Sequence, residues 1–183
     1  MCVDITKFST STSTTPVVPT TFLSGKGRVI CDTLVWKTSL PDQLLLDVPT
    51  ETTDDLLAHL STYVMRRTKV TIADITKDVI LTVLYGLPSD VSPPPDSSSV
   101  IAAGADPRAP HLGFRIVGRE ETGVNEELFP TQEGTYQLLR RLSGVPEGDE
   151  IRDLTALESN AEIIGGVAFD KGCYLGQELT ARR

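Results

Sequence analysis

Histidine and cysteine are scarce in this chain, and their scarcity narrows the chemistry it can carry. Among 183 residues there are two histidines, His59 and His111, and three cysteines, Cys2, Cys31 and Cys173. The cysteines are odd in number and none form a C-x-x-C pair, which argues against a disulfide framework and against a closed zinc site. A metal centre built wholly from this chain's own side chains is not expected, and a reducing compartment suits the thiols best. Long apolar runs are also missing, so no segment reads as a bilayer-spanning helix. Cationic residues are outnumbered, 17 Lys and Arg against 25 Asp and Glu, for a net charge of −8. A surface that acidic repels phosphate backbones and anionic headgroups, so nucleic acid and membranes are poor partners. The amino-terminal stretch is Ser/Thr-rich from Ser9 to Thr15, with Lys7 its only early basic residue and Asp4 nearby. An import peptide is Arg-rich, amphipathic and poor in acid, and a secretory signal needs a longer apolar core. The residues alone give no address.

What is present is ordinary for a globular chain: 39% apolar and 23% charged residues, in a length that suits one core or two small lobes. Residues 1–20 read as disordered or weakly ordered, and 21–183 as the folded domain. Arg28-Val-Ile-Cys-Asp-Thr-Leu-Val-Trp36 predicts a strand, Leu40-Pro-Asp42 a turn, and Gln43 to Val48 a returning strand. Thr52 suits a helix N-cap, with Asp54 and Asp55 in the first turn. Leu56, Leu57, Leu60, Tyr63 and Val64 then share one helical face, and Arg66 and Arg67 close it. Strands are expected at Lys69–Ala73 and Val79–Tyr85. Residues 88–99, with Pro93-Pro94-Pro95, form a solvated loop. Short strands at 100–103 and 113–117 follow, then a helix capped by Thr131 that carries Tyr136, Leu138, Leu139 and Leu142 and ends at Gly144. Trp36, Tyr63 and Tyr136 are expected in the core, and His59 facing solvent or lightly packed. The pattern is α+β, built of split β-α-β modules.

The segment that carries chemistry is Phe169-Asp-Lys-Gly-Cys-Tyr-Leu-Gly-Gln-Glu178. Gly172 and Gly176 bracket Cys173 and permit a tight backbone that a ligand can approach closely. Lys171 sets a cation two residues from the thiol, which favours the thiolate. Gln177 and Glu178 can open a helix whose amide end acts in the same sense. A buried, inert cysteine in a turn fits the same composition.

The eight residues Lys171-Gly-Cys-Tyr-Leu-Gly-Gln-Glu178 resemble the signature of the YgfZ/aminomethyltransferase superfamily, in the branch of eukaryotic mitochondrial iron–sulfur cluster assembly factors. The aminomethyltransferases are similar but lack the cysteine. Leu179 to Arg182 extends the match, and Arg183 departs from it where a threonine is usual. The likeness continues through Phe22 to Arg28 with Asp32, through Asp106-Pro-Arg108 to Arg115, and through Gly144–Gly148 and Leu157–Asn160. Ala156 stands where the family usually has proline.

The resemblance implies an aminomethyltransferase (GcvT)-like, folate-binding type of domain, here truncated, with its carboxy-terminal barrel missing. It implies a folate-facing role for Asp32, a pterin-holding role for Glu158 and an anion contact for Arg115, with Arg108 beside it. From the residues themselves, Asp32 equally suits pairing with Arg28 or Lys37, Glu158 a helix start, and Arg115 a carboxylate partner. It further implies a matrix protein that works with A-type carriers in 4Fe–4S maturation, with Cys173 and Lys171 at the working site and Cys173 a transient ligand of a cluster shared with the partner. Such a protein is more an assembly factor than a classical enzyme. The alternatives are a tetrahydrofolate-dependent aminomethyl or one-carbon transferase, and a folate-binding scaffold without chemistry.

Overall fold

Strand β2, Val29–Lys37, is the organising element of the computed structural model, which describes residues 17–40, 42–65, 67, 69–85, 99–119 and 134–181. It runs between β1, Val17–Leu23, and β3, Leu44–Asp47, in an antiparallel sheet of order β1-β2-β3. Cys31 to Trp36 are all buried. A central strand covered on both faces explains why its apolar residues run on without alternating.

On one face Cys31 and its neighbour Phe22 pack against Leu56 and Leu60 of helix α1, Thr53–Tyr63. On the other, Leu34 and Trp36 meet Val17 and Ala102. Ala102 belongs to β5, Val100–Ala105, in a second antiparallel sheet of order β4-β6-β5, with β4 at Ile80–Leu84 and β6 at Phe114–Gly118. A third cluster joins Leu112, Val145 and Ile164 to Tyr136 and Leu139 of α2, Thr135–Leu142. The described chain closes with α3, Gln177–Ala181. The architecture is mixed α+β.

Several expectations need correction. β1 begins at Val17, inside the segment expected to be weakly ordered, and only 1–16 of that segment lies outside the described residues. Lys69–Ala73 is not a strand: Lys69 takes a left-handed φ of 51°, Val70 is exposed, and Ile72 alone packs, on the Phe22 cluster. β-branched residues extend the backbone there, but no neighbouring edge pairs with it. Thr52 does precede α1, yet its hydroxyl donates backward to the Pro49 carbonyl at 3.1 Å instead of capping the helix. Tyr63 is exposed, and His59 is half-buried between Phe22 and Tyr63. In α2 only Tyr136 and Leu139 face the core; Leu138 and Leu142 are exposed, and Arg140 is the residue turned inward. The helix follows Gly134; Thr131, Arg66 and the 88–98 part of the proline loop lie outside the described residues, as do Cys2 and Arg182.

Candidate functional site

The cysteine segment is a loop held at two ends by the β1–β2 hairpin. At its start, the Gly166 carbonyl accepts a hydrogen bond from the Thr21 N–H of β1 at 3.1 Å. At its end, Gly176 has a left-handed φ of 79°, and a Cβ there would stand 2.6 Å from the Ser24 carbonyl oxygen and 2.8 Å from the Gly27 Cα. Gly27 answers with a φ of 77°, where a Cβ would meet Leu179 Cβ at 2.6 Å and the Gly176 oxygen at 2.8 Å. Both contacts are too short for any side chain, so both positions require glycine. The close approach foreseen at Gly176 is therefore made by the chain's own turn, not by a ligand. At Gly172 a Cβ would meet nothing within 4 Å.

Between the anchors, Tyr174 packs against the cluster of Leu23, Val29, Ile151, Ala156 and Ala161. Lys171 sets its Nζ 4.6 Å from the centroid of the Tyr174 ring, in cation–π range. Cys173 is exposed and in no disulfide. Gln177 opens α3 as the motif suggests, and Glu178 stands exposed in its first turn. A small cleft lies behind the loop, bounded by Thr21, Phe22, Leu23, Gly166, Val167, Lys171, Tyr174 and Leu175. Its volume of about 20 Å³ holds on the order of one water.

Asp32 lies elsewhere, on the β2 face that carries the buried charges. Its Oδ1 accepts the Gly148 N–H at 2.9 Å, and its Oδ2 is 3.8 Å from Arg108 Nη1. Burial outweighs these two stabilising contacts and, with Glu147 nearby, pushes the carboxyl up to about 6. Arg108 clamps Asp106 through Nε at 2.9 Å and Nη2 at 2.7 Å, and also bonds Glu147. Arg115 bonds Asp47 at 2.8 Å, donates to the Tyr136 hydroxyl at 2.9 Å and lies 3.6 Å from Asp106. Arg140 continues the chain of charges to Glu147 at 3.2 Å and Glu150 at 2.8 Å.

The chain is similar to curated proteins named iron–sulfur cluster assembly factor IBA57, mitochondrial, or its homologues. Identity is 35% over 88% of the chain with the human protein, covering 48% of that protein. It is 32% over 89% with that of Pyricularia oryzae, covering 43%. It is 28% over 98% with that of Dictyostelium discoideum, covering 52%. Its relatives are mitochondrial iron–sulfur cluster assembly factors. The chain spans about half the length of these relatives, and no family model matches it. Their names agree with the mitochondrial location that the resemblance implies, and no helix among the described residues is long and apolar enough to cross a membrane.

Of the residues read as folate contacts, Asp32 and Arg115 belong to one buried network, joined through Arg108 and Asp106, whereas Glu158 has other partners. Glu158 is exposed, accepts the Thr155 N–H at 2.8 Å while its own N–H bonds the Thr155 hydroxyl at 3.2 Å, and lies 3.7 Å from Arg28. Asp32 and Glu158 share no partner, and neither borders the cleft. Arg115 and Arg108 are occupied by the chain's own carboxylates. Sequence reasoning missed Arg140 and Glu150, whose signal was the Glu147-Gly-Asp-Glu150 spacing that closes a capping box. It also missed the pairing of Gly27 with Gly176, which no local pattern discloses.

Proposed function

We propose that this chain acts as an iron–sulfur cluster assembly factor, and that Cys173 is the residue through which it acts. The observation that carries the reading is the presentation of the thiol: exposed, beside a glycine with open space around it, on a loop tied down at both ends. A thiolate so placed can take a coordination position on an iron atom of a cluster that another protein carries. Among the described residues no three His, Cys, Asp or Glu side chains are grouped to hold a metal ion, so the other ligands come from the partner.

By resemblance that partner is an A-type carrier, and the cargo is destined for 4Fe–4S proteins of the mitochondrial matrix. The chemistry asked of this chain is ligand exchange. Cys173 gives its proton to solvent, its sulfur displaces one ligand on iron, and the sulfur leaves again as the cluster passes on. No net oxidation is needed. Lys171, held above Tyr174, contributes a cation to a surface that must meet an anionic thiolate-bound cluster. Tetrahydrofolate takes no part in this reading.

The test is to mix the purified protein with an A-type carrier loaded with its cluster. A complex on gel filtration and a change in the visible cluster bands are expected, and both are lost in Cys173→Ala. If the alanine variant forms the same complex with the same bands, and supports 4Fe–4S enzymes in cells lacking the native protein, the proposal is wrong.

A further inference from the structure

The loop that bears Cys173 is not self-supporting: residues 167–176 contain neither helix nor strand. The β1–β2 turn, by contrast, is braced from within. Ser24 N–H bonds the Arg28 carbonyl at 2.8 Å, Gly27 N–H bonds the Ser24 carbonyl at 2.9 Å, and the Arg28 N–H reaches the Ser24 hydroxyl at 3.2 Å. It joins two strands paired from Val17 with Trp36 to Leu23 with Val29, with an irregularity between Phe22 and Leu23. A stiff hairpin tip therefore meets a soft loop, and the interface between them is backbone on backbone, Gly27 against Gly176, with Leu179 lying over Gly27 and Leu175 beside Gly25. The other anchor, Thr21 to Gly166, belongs to the same hairpin.

We infer that the Ser24–Gly27 turn is the positioning platform for Cys173, with Gly27 and Leu179 as positioning residues that act through Gly176. The inference rests on the reading of Cys173 as the working thiol. A reactive atom on a loop fixed at both ends meets its partner without first being ordered, which lowers the cost of association. The flanking turn then decides where the sulfur stands, although no atom of the turn touches the cluster.

The experiment places a nitroxide label on Cys173 in a Cys2→Ser background and reads its mobility by electron paramagnetic resonance. In the parent the label reports a restricted loop. In Leu179→Ser, and in Gly27→Ala, its correlation time is expected to shorten several-fold while circular dichroism shows the sheets retained. Leu138→Ser, on the exposed face of α2, leaves the spectrum as it was. The unlabelled Leu179→Ser variant is also expected to lose most of its complex with the cluster-loaded carrier. Should Gly27→Ala fail to fold, Leu179→Ser decides alone. Unchanged label mobility in Leu179→Ser overturns the platform. Because the label signal does not depend on any cluster, it stands or falls separately from the Cys173→Ala result, which judges the thiol's role.

Discussion

Replacing Asp32 with asparagine tests the buried charge cluster most sharply. The carboxyl lies in β2 with its side chain 10% exposed, and burial lifts it to about 6 from an ordinary value of 3.8. That rise corresponds to about 3 kcal/mol. Because the folded state holds the proton more tightly, this group's contribution is fully present below about pH 4. It is lost as pH rises through about 6, and is constant above that. Asparagine keeps the acceptor for the Gly148 N–H and carries no charge, so it imitates the protonated form. Asp32→Asn should therefore match the parent near pH 4 and exceed its unfolding free energy at pH 7.5 by up to about 3 kcal/mol. The attraction of Arg108 at 3.8 Å is already contained in the value of about 6. The assay is urea unfolding of both proteins at several pH values, read as the difference between them, in which groups not coupled to Asp32 cancel. A difference that stays flat from pH 4 to 7.5 would refute the reasoning. So would a variant less stable at neutral than at acid pH relative to the parent.

Arg140→Met removes one of two cations from each of Glu147 and Glu150, which keep Arg108 and Arg141, and should cost roughly 2 kcal/mol at neutral pH by urea unfolding. Glu150 is held down to about 2, chiefly by its hydrogen bond from Arg140. Its stabilisation is present above about pH 4.5 and is lost as pH falls towards 2, so the acid limb of the stability profile should be shallower in Arg140→Met than in the parent. Cys31, whose thiol burial pushes up to about 12, should resist iodoacetamide at pH 8 in the folded Cys2→Ser protein while Cys173 reacts. Mass spectrometry showing Cys31 modified as fast as Cys173 without denaturant would contradict its placement.

The elements most legible in the sequence are those whose burial is one-sided or complete. The run from Val29 to Trp36 announces a strand because its neighbours on both faces are apolar. α1 is legible from Leu56 and Leu60. β1 was obscured by Pro19 amid threonines, a composition that looks like a tail; an edge strand can accept that proline because one side of it has no ladder to break. The opposite error at Lys69–Ala73 has the same root, since strand formation depends on a partner the segment cannot name. In the site, Cys173 and its glycines were recognisable as a unit. The reason for Gly176 was not, because its counterpart is 149 positions away. Arg28 and Lys37, near in sequence, suit Asp32 as partners, whereas the fold gives it Arg108 and Gly148.

The meeting of Gly27 with Gly176 also fixes an order of events during synthesis. The hairpin is among the first parts of the described chain to leave the ribosome, and the cysteine loop is among the last. Until the final turn of α3 has emerged, the sulfur has no seat to occupy, while the seat itself has long been made. Correct display of the thiol thus depends on α3 being in place, and a chain that stops short of it leaves the loop with only its Gly166 anchor.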